Sequence, residues 1–165
     1  MKVKDKAEIL HLAADLGHYV ADAHVPFHAT ENYDGQLSGQ VGVHARFESR
    51  IPEMYGKEYH FFHDSAKVIE NPLERAFQIV SLSCVMADSV LKADASAKED
   101  LKGQEIYTVV KKNGKNEYRY SNAYYEEFNA HLHGLVERRI QDAILAVADY
   151  WLTAWMKAGK PELPT

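Results

Sequence analysis

The segment Ser121-Asn-Ala-Tyr124-Tyr-Glu-Glu-Phe128-Asn-Ala-His-Leu132-His-Gly-Leu135-Val-Glu-Arg-Arg-Ile140-Gln-Asp-Ala-Ile144-Leu-Ala-Val147-Ala-Asp-Tyr-Trp151-Leu-Thr-Ala-Trp155-Met-Lys-Ala-Gly159 places apolar residues mostly three and four apart. That period is one face of an α-helix. It predicts a last long helix, capped by Ser121 and stopped by Gly159 and Pro161. Just upstream, Ile106–Val110 and Tyr118–Tyr120 are β-prone and flank Asn113-Gly114, so residues 105–120 read as a β-hairpin. Before it, Asn71-Pro72 reads as a helix cap and first helical position. Leu73, Phe77, Val80, Cys84 and Ala87 continue as an apolar stripe to about Lys92. A segment around Tyr59–Ile69 and another from Val43 to Met54 also have helical spacing, the latter with Pro52 expected to kink or stop it.

At the N-terminal end, Ile9, Leu12, Ala13, Leu16 and Val20 form an amphipathic stripe from Lys4 to about His24, and Pro26 ends that helix. Residues 29–43, with Gly35, Gly39 and Gly42, are a long loop of the kind that is usually functional or disordered. The fold class expected is therefore all-α, a multi-helix bundle with one small β-hairpin, in a single helical domain over residues 1–165. Nine glycines and five prolines in 165 residues agree with long helices. Net charge −5 argues against a general nucleic-acid coat. No apolar run approaches the ~20 residues of a membrane span. The N-terminus has no signal-peptide core, and the one cysteine, Cys84, cannot form an internal disulfide.

The chemistry is concentrated between His18 and Glu48. His18 and Asp22 stand four apart on a helix, so both can reach one ion, and His44 and Glu48 repeat that spacing. His28 follows the Pro26 break, where the chain can fold it back towards both pairs. Imidazole and carboxylate donors suit zinc, and an incomplete ligand shell suits catalysis. Either pair alone reads as an ordinary exposed helix pair; two pairs and a loop histidine in one short stretch favour a metal. Thiolate is absent, which excludes a zinc finger.

His18-Tyr-Val-Ala-Asp22-Ala-His24-Val-Pro26-Phe-His28, followed by Gly42-Val-His44-Ala-Arg46-Phe-Glu48, resembles the zinc-dependent phospholipase C superfamily, which includes zinc-dependent single-strand nucleases. The resemblance implies the family's all-α fold. It also implies that His18 and Asp22 bind a first zinc, with Asp22 bridging to another as the catalytic carboxylate, and that His28, His44 and Glu48 bind a second. The family holds up to three Zn²⁺; one or two are expected here. Glu48 and the modest loop before His44 look more like the phospholipase branch than the nuclease branch. The implied function is metal-assisted hydrolysis of a phospholipid or other phosphodiester. Nucleic acid is the substrate only under the nuclease alternative, and a catalytically dead metal-binding or interaction domain is a third reading. Full-length members are secreted or periplasmic.

Family members draw further ligands from upstream of this signature, including an N-terminal Trp; here seventeen residues precede His18 and none is Trp. The resemblance is thus to the C-terminal portion of such an enzyme. Apolar faces on the helices at 5–24 and 121–158 are expected to be exposed, or covered by a second copy in a homo-oligomer. Arg46 could meet a substrate phosphate through its fork of donors or pair with Glu31 or Glu53. Asp15 could orient a ligand histidine. His63-Asp64 reads as a surface pair, Glu8 with His11 as coincidence, His131 and His133 as separate residues, and Trp151 and Trp155 as core.

Overall fold

A computed structural model describes residues 6–61, 64–101, 106–112 and 114–162. His63 and Asn113, which carry part of the His63-Asp64 and turn expectations, lie outside these residues. The chain is mostly helical with one antiparallel hairpin, as its periodicities predict. Helix α1 spans Lys6–Asp22, and a 3₁₀ turn follows at Pro26–Ala29. The region from Val43 to Tyr55 is one irregular helical run: α2 (Val43–Ala45), a π turn (Arg46–Arg50) and α3 (Ile51–Tyr55). Then come α4 (Pro72–Asp100), strands β1 (Tyr107–Lys112) and β2 (Lys115–Tyr120), α5 (Asn122–Leu132) and α6 (Leu135–Lys157).

The caps follow the chemistry of the sequence. Asn71 accepts from the Glu74 amide with Pro72 in the first turn, and Ser121 accepts from the Tyr124 amide. The hairpin pairs Val109 with Tyr118 and Lys112 with Lys115, and Gly114 takes φ +76° at its turn. Pro52 donates no hydrogen bond and crowds the carbonyl one turn back. The helix passes through it by widening, with the Ile51 amide reaching the Arg46 carbonyl five residues earlier.

Three expectations about the helices are corrected. The long terminal helix is two, because His133 (φ 48°) and Gly134 (φ 72°) are both left-handed and turn the chain between α5 and α6. Residues 64–69 are not helical: this extended segment lies along α6, where the Lys67 and Ile69 amides donate to Asp149 (2.6 Å) and Thr153 (2.8 Å). On α4 the stripe of Leu73, Phe77, Val80 and Cys84 faces out; the buried side is Ile79, Ser83, Ala87, Val90, Asp94 and Ala97. The helix is apolar on both faces, so periodicity could not choose between them. For the same reason α4 is, by length and composition, apolar enough to cross a membrane, with a window of mean hydropathy 1.3.

The larger core gathers Phe27, Val43, Phe47 and Ile51 against Val90, Tyr124 and Phe128. A smaller one joins Val20 of α1 to Ile79, Ala146 and Tyr150. Apolar residues remain exposed on α1 (Leu10, Leu12, Tyr19) and α6 (Ile144, Trp151), and more of them on α4. Trp151 is half-exposed rather than core; its Nε1 donates to the Ala13 carbonyl at 2.9 Å.

At the centre of the larger core sits a charge. Asp94 is fully buried and accepts from Arg46 (3.0 Å), Lys98 (2.6 Å), Gln40 (2.7 Å) and the Tyr124 hydroxyl. Burial pushes its carboxyl up, and the bonds from Lys98, Tyr124 and Gln40 with the Arg46 charge outweigh that, holding it below the usual range. A depressed folded pKa means stability that is complete above the unfolded value of about 3.9 and is lost as pH falls through the folded one. Asp94→Asn should therefore cost about 3–5 kcal/mol at pH 7, the usual result of breaking a buried pair. In urea unfolding followed by circular dichroism, the gap between variant and wild type should narrow as pH is lowered below 4.

Candidate metal centre

Each donor reaches the centre from a different local device. Asp22 is the last residue of α1, and the carbonyls that follow it are held by buried side chains: Ser83 donates to Ala23 O (2.6 Å) and Arg139 to His24 O (2.9 Å). These bonds satisfy acceptors that a helix end leaves orphaned. His24 itself is buried, with Nδ1 against the Val20 carbonyl at 2.7 Å, and burial lowers its pKa. It is not among the converging donors. His28 lies on the 3₁₀ turn begun by Pro26, while His44 and Glu48 are one turn apart in α2 and the π turn.

The loop between His28 and His44 is ordered. Asn32 accepts from the Leu37 amide, the Gln40 amide donates to Gly35 O (2.8 Å), and the Gln40 side chain ties the loop to Leu91 and Asp94 of α4. Arg46 completes the fastening through Val41 O (2.9 Å) and Gln40 O (3.2 Å).

The structure places the five expected residues in a chain of neighbouring pairs, and three of them, His28, His44 and Glu48, lie within reach of one ion. His18 Nε2 is 3.4 Å from Asp22 Oδ2, and the same oxygen is 3.7 Å from His28 Nδ1. On its other side, His28 Nε2 is 3.6 Å from Glu48 Oε2, which is 2.7 Å from His44 Nε2. The His28 and His44 rings meet edge to face at 4.9 Å. His28, His44 and Glu48 each offer a donor within 4.8 Å of the other two, a group that could hold a metal ion. His44 Nε2 is buried, and despite its closeness to Glu48 it has no properly directed hydrogen bond. Asp22 and His18 flank this trio, and the 3.7 Å from Asp22 Oδ2 to His28 Nδ1 is longer than a hydrogen bond.

Arg46 is not available to a substrate. It is 6% exposed, its fork is spent on Asp94, Tyr124 and the loop carbonyls, and its plane lies 4.3 Å from the Tyr120 ring. Glu53, one of its expected partners, pairs with Arg50 at 3.0 Å. Asp15 pairs with His11 (3.4 Å). The spacing reading missed Asp100, Glu127 and His131, whose donors also lie within 4.8 Å of one another. Glu127 and His131 are four apart on α5, the spacing that drew attention to His44 and Glu48.

Beside the centre an apolar groove of about 580 Å³ runs between α1 and α6. Val25, Val136, Ile140, Ile144 and Trp151 line it, and Asp22 and Glu48 stand at its edge. No known protein family, characterised protein or solved structure matches the chain.

The loop's closure is testable at Gly35. Its φ is +76°, and a Cβ there would meet Gln40 O at 2.6 Å. Gly35→Ala should cost more than about 1 kcal/mol, and hydrogen exchange should show the Gln40 amide losing protection while amides of α6 keep theirs.

Proposed function

We propose that this chain is a zinc-binding hydrolase module of phospholipase C type, with zinc held by His28, His44 and Glu48. The observation that carries the reading is the buried, unbonded His44 Nε2 facing the same space as Glu48 and His28. Two imidazoles and one carboxylate are a donor set of catalytic zinc sites, which keep a position for water. A zinc ion held there supplies Lewis acidity and a water acidified to near neutrality. The chain's own residues set the rest. Asp22 stands beside the His28 ring, 3.7 Å from Nδ1, and presents a second carboxylate to the site. Arg46 holds the turn bearing His44 and Glu48 without touching substrate. Up to three ions occupy enzymes of the superfamily that the sequence resembles; here His28, His44 and Glu48 offer three ligands for one, and His18 with Asp22 offers two for another.

The groove favours a phospholipid over a nucleic acid. Its exposed lining is almost wholly apolar, suited to acyl chains, and its basic side chains, His24 and Arg139, are buried and engaged. Phosphate recognition along a nucleic acid would call for exposed cations instead.

Among the described residues, His18 and Asp22 alone are too few ligands at that end to clamp both the attacking and leaving oxygens of a phosphodiester. Zinc binding with little turnover is expected. His44→Ala should remove most of the zinc bound by metal analysis after dialysis, if the Asp100 group is first blocked by His131→Ala. His18→Ala in the same background should remove little. Equal loss from both, or rapid hydrolysis of a short-chain phosphatidylcholine by the isolated chain, would contradict this assignment.

A further inference from the structure

We propose that Asp100, Glu127 and His131 form a second divalent-metal site, separate from the first and independent of the hydrolase reading. Asp100 ends α4, and Glu127 and His131 stand one turn apart on α5, so the donors come from two packed helices. The donor atoms lie within 4.8 Å of one another, and His131 Nε2 is 2.7 Å from Asp100 Oδ2. Donors about 2.0–2.2 Å from one ion must stand no more than about 4.4 Å apart. In a tetrahedral shell the spacing is about 3.3–3.6 Å, so binding would draw the three donors inward by rotation of the Glu127 and Asp100 side chains.

Charge argues for a cation there. Asp94, one turn before Lys98, has both Lys98 and Arg46 to balance it. Asp100 and Glu127 converge without such help: among the described residues neither forms an ion pair with a lysine or arginine, and one imidazole stands between them. Even a charged His131 leaves the group with a net negative charge, and carboxylates brought this close repel. A divalent ion reverses the balance and replaces the single His131–Asp100 contact with bonds from all three groups. One imidazole and two carboxylates suit Zn²⁺ or Mn²⁺. The ion would tie the end of α4 to α5.

The full chain, stripped with a chelator, is titrated with zinc chloride and its bound metal counted after equilibrium dialysis. Two zinc ions per chain are expected in the wild type, one in His131→Ala, one in His44→Ala and none in the double variant. Zinc should still raise the melting temperature of His44→Ala, because binding to the native state alone stabilises it, and this rise should vanish when His131→Ala is added. Glu127→Gln, which keeps the side chain's size, should weaken this second ion if His131→Ala disturbs the fold by circular dichroism. A wild type that binds a single zinc, lost in His44→Ala and kept in His131→Ala, would overturn the proposal. So would equal zinc binding by the double variant and the wild type, which would be adventitious. One zinc kept in His44→Ala and lost in His131→Ala would support this site while refuting the first.

Discussion

The buried carboxylate of Asp94 is the constraint around which the larger core is arranged. A charge taken from water is costly unless every lone pair finds a donor. Asp94 finds its donors on four separate segments: Gln40 in the loop, Arg46 in the π turn, Lys98 on its own helix and Tyr124 on α5. The requirement to gather them fixes where the loop returns to α4 and how the turn bearing His44 and Glu48 is set down. Arg46 lies between those two residues in sequence and points the opposite way, into the core. The side chain nearest the site in the sequence thus acts as its foundation.

A second buried arginine does similar work at the other end. Arg139 reaches from α6 to the His24 carbonyl and to Ser83 of α4, while Ser83 holds the Ala23 carbonyl. Three helices meet there on the orphaned acceptors of α1, and the meeting point fixes where Asp22 stops and where Pro26 begins the turn to His28. Each half of the donor group is therefore anchored by its own buried arginine.

Much of this was legible in the sequence, and the limits have physical causes. The caps at Asn71 and Ser121, the hairpin and the His44–Glu48 pair rest on local chemistry with a fixed geometric meaning, so their spacing could be read directly. The outward turn of Leu73 and Phe77 could not, because α4 is apolar on both sides and only the position of α5 and the 3₁₀ turn decides which side is covered. The break at His133-Gly134 was hidden by an apolar period that continues across it. The fate of Arg46 turned on Asp94, forty-eight residues away, a partner no local pattern indicates. Residues 64–69 have helical spacing, yet their amides find acceptors on α6, and tertiary bonds override a weak local preference.

The ordered loop from Ala29 to Gly42 has a consequence for how the donor group would meet an ion. In a zinc finger the ion itself draws distant ligands together, so metal binding and folding are one event. Here the search through chain conformations that would bring His28 beside Glu48 is complete once Gly35, Gln40 and Arg46 have made their bonds. An ion arriving at such a cage would do no organising work. Its capture and release would then be limited by shedding water and reaching the cavity, and the polypeptide could exchange one ion for another while keeping its shape.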